Sequence, residues 1–365
     1  MIPQIPQPDP MALPAPGWLL WALLLLTFFL HLVPMNLVLG GSILGAIARA
    51  RARRDDRPHD AALAHLVVKA MPVLISATVT MGVAALLFLQ VLYGRVIFPS
   101  AIVMGWWWLA VIGLLILAYY AAYLLAFREH SLGGVGTILA WLIAALTGLI
   151  ALIYGNNMTL MLKPQEMVAR YAADGRGLQL NLLDPTLFPR HLHMLIGAIA
   201  VGGLAVAVVG VVRRRAAPEF SAWAIRYGAL VCGLATCLNI FTGLWWLAAL
   251  PQEVLLQFMR GGFGMVGVLL LGILLTLAAA GHLVLASAGR RAAVNVTAGA
   301  GAMLAGLAMM LLTRDSVRTA TLGLAGFQPV TWVAPQWGPI VIFFVLLVAA
   351  IATVWWMVRA LVLAR

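Results

Sequence analysis

Charge is what this sequence most lacks. Of its 365 residues, 9% are charged and 64% are hydrophobic, whereas a soluble domain carries about 25% charged residues. So little charge cannot cover a folded chain with a water-wettable surface, which excludes the soluble globular, disordered and fibrous classes. Acids are scarcest, 11 Asp plus Glu against 23 Lys plus Arg, for a net charge of +12. Cysteines number 2, Cys232 and Cys237; both sit in apolar sequence and make neither a disulfide framework nor a zinc site. No C-x-x-C-H occurs, so the chain attaches no c-type heme by itself. The positive excess does not mark a nucleic-acid partner, which requires a basic face on a soluble module. In a membrane chain it marks cytoplasmic loops.

What is present in quantity is long apolar sequence. A bilayer-spanning helix needs about 20 mostly apolar residues, and nine stretches meet that length, at 18–48, 64–94, 100–127, 133–155, 188–212, 220–249, 262–287, 293–313 and 338–362. No long soluble insertion separates them. The expected fold is therefore all-α, a single integral membrane domain over 1–365 built as a polytopic bundle of about nine transmembrane helices. The Pro-rich start from Met1 to Pro16 carries no Lys or Arg, and the apolar run after it is too long for a signal-peptide core, so the first stretch reads as a retained span.

With the N-terminus outside, the inner loops and C-terminus carry Arg49, Arg51, Arg53, Arg54, Arg57, Lys69, Arg128, Arg213, Arg214, Arg215, Arg226, Arg290, Arg291, Arg359 and Arg365, that is 15 of the 23 cations, leaving 8 outside. The positive-inside rule places the N-terminus outside and the C-terminus inside, as expected of a multi-pass protein of a bacterial inner (cytoplasmic) membrane. Segments 156–189 and 314–337 then face the outer compartment. All 11 acids fall in predicted loops or at predicted helix ends. Pumps and ion-coupled carriers generally keep an ionisable group within the membrane, and many are built from inverted repeats. Neither feature is evident, which counts against a transporter.

Histidine is the polar residue that stands out. His59, His65 and His130 belong to inner loops or helix ends, whereas His31, His191, His193 and His282 are embedded or nearly so. A membrane imidazole must be hydrogen-bonded or bound to something, and heme iron is a common redox partner because the macrocycle fits between helices. Asp184-Pro185 through Arg190-His191-Leu192-His193 opens the fifth span, and Phe263-Gly264-Met265-Val266-Gly267 opens the seventh. Both helices start on the outer side, which puts His193 and Met265 at similar depth, roughly 5–8 Å in at 1.5 Å per residue. An imidazole and a thioether at equal depth suit a low-spin His/Met heme, and Arg190 and Arg260 at the same interface are candidates to pair its propionates. Met265 is equally accounted for as a packing residue, since the chain has 16 methionines.

At these residues the sequence resembles subunit I of the cytochrome bd quinol oxidases, a family with nine spans and an outer N-terminus. The stretch Asp184-Pro185 to His193 is similar to the family's fifth-helix opening, which assigns the low-spin heme b ligand to His193 rather than His191. Phe263-Gly264-Met265-Val266-Gly267 looks like a contracted form of the family's methionine motif, which puts the second ligand on Met265. Met81-Gly82-Val83-Ala84 through Tyr93-Gly94 is similar to the family's second-span segment. The departures bear on chemistry. The family reduces dioxygen with acids in its third and ninth spans, and this chain has none there; its first-helix histidine also stands in a different register from His31, two residues before Val33-Pro34. The resemblance thus implies the fold without the terminal-oxidase reaction.

The expected function is a b-type cytochrome subunit passing electrons between the quinone pool and an outer-side partner, a periplasmic cytochrome c or other electron-carrier subunit, in company with other membrane subunits. One heme b is expected. A second between His31 and His282 stays open, although a backbone carbonyl freed by Pro34 is the simpler partner for His31. Glu253, with Arg260 and Gln252, lies in the outer loop that corresponds to the family's quinol site; a carboxylate there can take a proton from a quinol hydroxyl. The alternative is a cofactor-free membrane anchor of a multi-subunit complex.

Overall fold

The computed structural model describes residues 5–9, 11–260 and 263–363. Gly261 of the outer loop, Arg365 of the inner charge set and the first four residues of the Pro-rich start lie outside them. The named elements of the described residues are all helices: α1 Gly17–Arg54, α2 Pro58–Val103, α3 Gly105–Arg128, α4 Gly133–Leu160, α5 Pro164–Ala173, α6 Leu187–Val212, α7 Pro218–Ala248, α8 Gln252–Arg260, α9 Phe263–Ser287, α10 Ala292–Leu324 and α11 Trp337–Leu363. Eight of these, α1 to α4, α6, α7, α9 and α10, are long and apolar enough to cross a membrane. The described residues also include a shorter apolar helix at Trp337–Ala349, within α11. This is a multi-pass membrane bundle.

Helices α1 to α4 bury one apolar cluster, which includes Val38, Ile75, Leu125 and Ile143. Helices α6, α7, α9 and α10 bury another, with Leu204, Cys232, Leu283 and Met303. The two groups meet where α1 crosses α6. A Cβ on Gly40 would lie 1.9 Å from the Ala198 carbonyl oxygen, and one on Gly202 only 3.1 Å from the Gly40 backbone. Backbone contact of this kind is how membrane helices gain packing energy without a hydrophobic driving force between them.

Three boundaries depart from hydropathy. Helix α2 runs on through Tyr93, where φ and ψ of −124° and 22° bend it, and past Pro99 to Val103. Residues 95–99, expected between two spans, are helical. The outer loop carrying Glu253 is a short helix, α8, which buries Val254 and Phe258 one turn apart. Most consequential is α10, expected to end near 313, which instead carries Arg314, Asp315 and Arg318 inside the helix as far as Leu324. Asp315 is buried, contrary to the expectation that every acid lies in a loop or at a helix end. Its carboxylate accepts from Trp21 Nε1 at 2.8 Å and pairs with Arg318 one turn on, and those partners make burial tolerable. On the same side, the segment before α1 pairs with the one before α11: Leu13 N–H donates to Trp332 O and Ala334 N–H to Leu13 O, each at 3.0 Å.

Candidate functional site

The fifth-span opening is positioned by Asp184. Its Oδ1 accepts from the Thr186 backbone N–H at 2.7 Å and from Thr186 Oγ1 at 2.6 Å, just ahead of α6. Its Oδ2 accepts from Asn181 Nδ2 at 3.1 Å and pairs with Lys163 Nζ at 2.9 Å. Asn181 in turn accepts from Arg170 at 2.7 Å. Burial works to raise the Asp184 pKa, but the Thr186 and Lys163 hydrogen bonds outweigh it and hold the carboxyl below its ordinary range. Lys163 moves oppositely: burial disfavours its charge, yet Asp184 and Glu166 leave its pKa raised. The network clamps the start of α6 to the outer segment around α5.

His193, the seventh residue of α6, has its Nδ1 3.1 Å from the carbonyl oxygen of Asn239 in α7. A carbonyl only accepts, so Nδ1 carries the proton and Nε2 keeps its lone pair. Gly243, one turn beyond Asn239, lies under the ring; a Cβ there would stand 3.0 Å from His193 Cε1. The same construction recurs in the first half of the chain. His31 Nδ1 donates to the Thr78 carbonyl at 2.9 Å, and Gly82, one turn beyond Thr78, would place a Cβ 2.8 Å from His31 Cε1. Each histidine is also followed by eight residues and a Gly-Gly pair, Gly40-Gly41 and Gly202-Gly203. The acceptor for His31 therefore lies on the neighbouring helix rather than at the Pro34 bend. This same-sense repeat was legible in the sequence as His-x8-Gly-Gly, but two short matches carry little weight until the partner helices are known.

The two nitrogens left with lone pairs are what a metal ligand requires, since metal-binding imidazoles usually donate their other N–H to a carbonyl or carboxylate. Met265 opens α9, partly buried against Val254, Phe258 and Val317, and both α6 and α9 pack on α7 and α10. His191 differs from His193: its buried Nδ1 has no partner. Arg190 lies over the Trp246 ring at 5.2 Å. Arg260, Glu253 and Gln252 are exposed on α8. Glu253 and Arg260 stand seven residues apart, on one face of that helix but about 10 Å apart along it. The arginines at depth are instead Arg314, over Phe28 at 4.5 Å, and Arg318, over Tyr93 at 4.4 Å. Hydropathy misses them because their charges look like the end of a span.

No family model and no curated protein sequence matches this chain. Its architecture, however, is similar to a solved one. A chain of the bd oxidase from Geobacillus thermodenitrificans aligns with 94% of this chain and 98% of its own length, with a TM-score of 0.71 at 14% sequence identity. This chain has the bd oxidase fold.

Within that fold, α3 and α11 hold no Asp or Glu. Helix α10 instead carries a buried carboxylate, Asp315, engaged by Trp21 and Arg318. His282 lies near the other end of α9, where its Nδ1 is 2.9 Å from Asn295 Oδ1 of α10 while Asn295 Nδ2 donates to Arg290 O at 2.6 Å. That trio stitches the α9–α10 turn and accounts for His282 structurally. Also on that side, Glu129 is held by Arg49 at 3.4 Å and by His65 at 2.7 Å. His59 stacks on Trp223 with centroids 5.6 Å apart.

Proposed function

We propose that this chain is a membrane b-type cytochrome subunit, transferring electrons between the quinone pool and a periplasmic redox partner such as a cytochrome c, within a complex of the bacterial inner membrane. The observation that carries the reading is His193, with Nδ1–H committed to the Asn239 carbonyl, Nε2 left with its lone pair and Gly243 beneath the ring. His193 and Met265 would hold a heme b, and His31 a second; such a group supplies reversible one-electron transfer when bound. The Asn239 carbonyl fixes the tautomer and orientation of His193, as Thr78 does for His31. Glu253 of α8 takes a proton from a quinol hydroxyl on the outer side, with Gln252 and Arg260 holding the quinol oxygens. The lack of acids in α3 and α11 leaves the outward partner, rather than dioxygen, as electron acceptor.

The test is a pyridine hemochrome and a reduced-minus-oxidised spectrum of the purified chain. A Soret band with an α band, reduced in stoichiometry by His193→Ala, is expected. A colourless protein, or an unchanged spectrum after His193→Ala, overturns the reading. The second reading, a cofactor-free membrane anchor, is favoured by Met265, whose packing against Val254 and Phe258 needs no further explanation. It predicts the colourless protein, and detachment of the outer partner when the chain is removed.

A further inference from the structure

Three guanidinium groups gather near the outer ends of α6 and α10, and their charges do not balance. Arg318 stands one turn beyond Arg314 on α10, the charge of Arg190 reaches Arg314, and Arg314 lies over the Phe28 ring at 4.5 Å, whose centroid is 6.0 Å from that of His31. Asp315 acts on Arg314 and pairs with Arg318, and both of its oxygens are taken, one by Trp21 and one by Arg318. Asp184 also acts on Arg190, but its oxygens are occupied by Thr186, Asn181 and Lys163. Arg190 and Arg314 form no ion pair and no side-chain hydrogen bond among the described residues; each has only an aromatic face, Trp246 or Phe28. Two donors beside them are buried and also lack acceptors, Trp246 Nε1 and Arg318 Nε.

A cation within a membrane bundle is normally paired or lines a water-filled path, because hydrocarbon does not solvate it. Here three cations share two carboxylates, Asp315 and Asp184, whose oxygens are already engaged, and two N–H groups go unanswered. What is missing is acceptor oxygen carrying negative charge. Planar guanidiniums on aromatic supports are suited to bidentate capture of carboxylates.

From this, and resting on the heme reading above, we infer that Arg190, Arg314 and Arg318 form one anion site that holds the propionate carboxylates of heme bound at His193 and His31, with Arg314 shared between the two histidine sites. Arg314 then has a second consequence. A fixed cation near both sites favours the reduced state, which carries one positive charge fewer, so it raises both potentials.

The experiment uses the full chain, produced without heme and titrated with heme or with heme dimethyl ester, whose propionates are esterified and uncharged. The unchanged protein should bind heme at least about tenfold more tightly than the ester, the worth of one or two charge-assisted hydrogen bonds. In Arg314→Gln and Arg318→Gln that preference should collapse, while Arg314→Lys should retain part of it. Potentiometry of the heme-loaded Arg314→Gln variant should show reduction disfavoured about tenfold, a fall of about 59 mV for a one-electron couple. Equal affinity for heme and ester, with potentials unmoved by Arg314→Gln, overturns this inference alone and assigns the arginines to another anion such as a lipid phosphate. Failure of the unchanged protein to bind either form overturns the heme reading and this inference with it.

Discussion

Replacing Gly243 by Ala tests the histidine geometry directly. The added Cβ would stand 3.0 Å from His193 Cε1 and 3.1 Å from Nδ1, where ordinary contact is about 3.5–4.0 Å. Relieving it moves the imidazole about 0.5 Å or more away from α7. The Nδ1–Asn239 bond is already 3.1 Å, and stretched to about 3.6 Å it ceases to be a hydrogen bond. His193 would then lose both its tautomer and its orientation. Loss of such a supporting bond typically costs about 10–100-fold in metal affinity, which corresponds to about 1.4–2.7 kcal/mol. Gly233→Ala is the matched control, because it lies on the same helix and a Cβ there meets nothing within 4 Å. The assay is heme content per chain by pyridine hemochrome, with heme titration of the depleted protein. Gly243→Ala should be deficient and Gly233→Ala fully loaded. If both variants bind heme like the unchanged chain, the imidazole over Gly243 is not the ligand and the reasoning fails.

Three further outcomes follow from the same contacts. Asp315→Asn removes the buried carboxylate paired with Arg318 beside Arg314 and should destabilise the detergent-solubilised chain by about 3–5 kcal/mol, read as a lowered thermal midpoint; an unchanged midpoint would show the cations to be solvated. Asn295→Ala breaks the bond to His282 and should cost about 1 kcal/mol without moving any heme band; a spectral change would instead make His282 a ligand. The Asp184–Lys163 pair imposes a pH window on the outer segment. Because the folded Asp184 pKa is depressed, its contribution is present above the ordinary carboxylate range and lost as pH falls through the folded value. Because the Lys163 pKa is raised, its contribution is complete below the ordinary lysine value and lost as pH rises through the folded one. Amide protection factors at the α6 start, which divide out the intrinsic pH dependence of exchange, should be flat across neutral pH and fall at both extremes, and Asp184→Asn should abolish the acid limb.

Several features of the site needed no coordinates. Asp184-Pro185 ahead of a helix already announces a helix start, and two histidines inside it already single out the region. The choice between His191 and His193 was carried by the resemblance, since residue type and depth alone do not separate them. The structure distinguishes their surroundings: His193 Nδ1 has the Asn239 carbonyl, and His191 Nδ1 has no partner. Glu253 and Arg260 looked like neighbours in a short loop, whereas α8 holds them on one face but two turns apart.

That this is a membrane helix bundle, how many apolar stretches it offers and which ends carry the cations can all be read from the amino acids alone. Hydropathy and charge asymmetry are properties of single segments, and insertion into a bilayer reads them one segment at a time. That Arg314, Asp315 and Arg318 continue a helix rather than end it, that Thr78 and Asn239 serve as equivalent imidazole anchors, and that Gly40 lets α1 cross α6 emerge only from the packed helices. Each of these depends on a partner from another helix. Burial of a charge or an imidazole is tolerable only when that partner is present, and no local pattern records which one it will be.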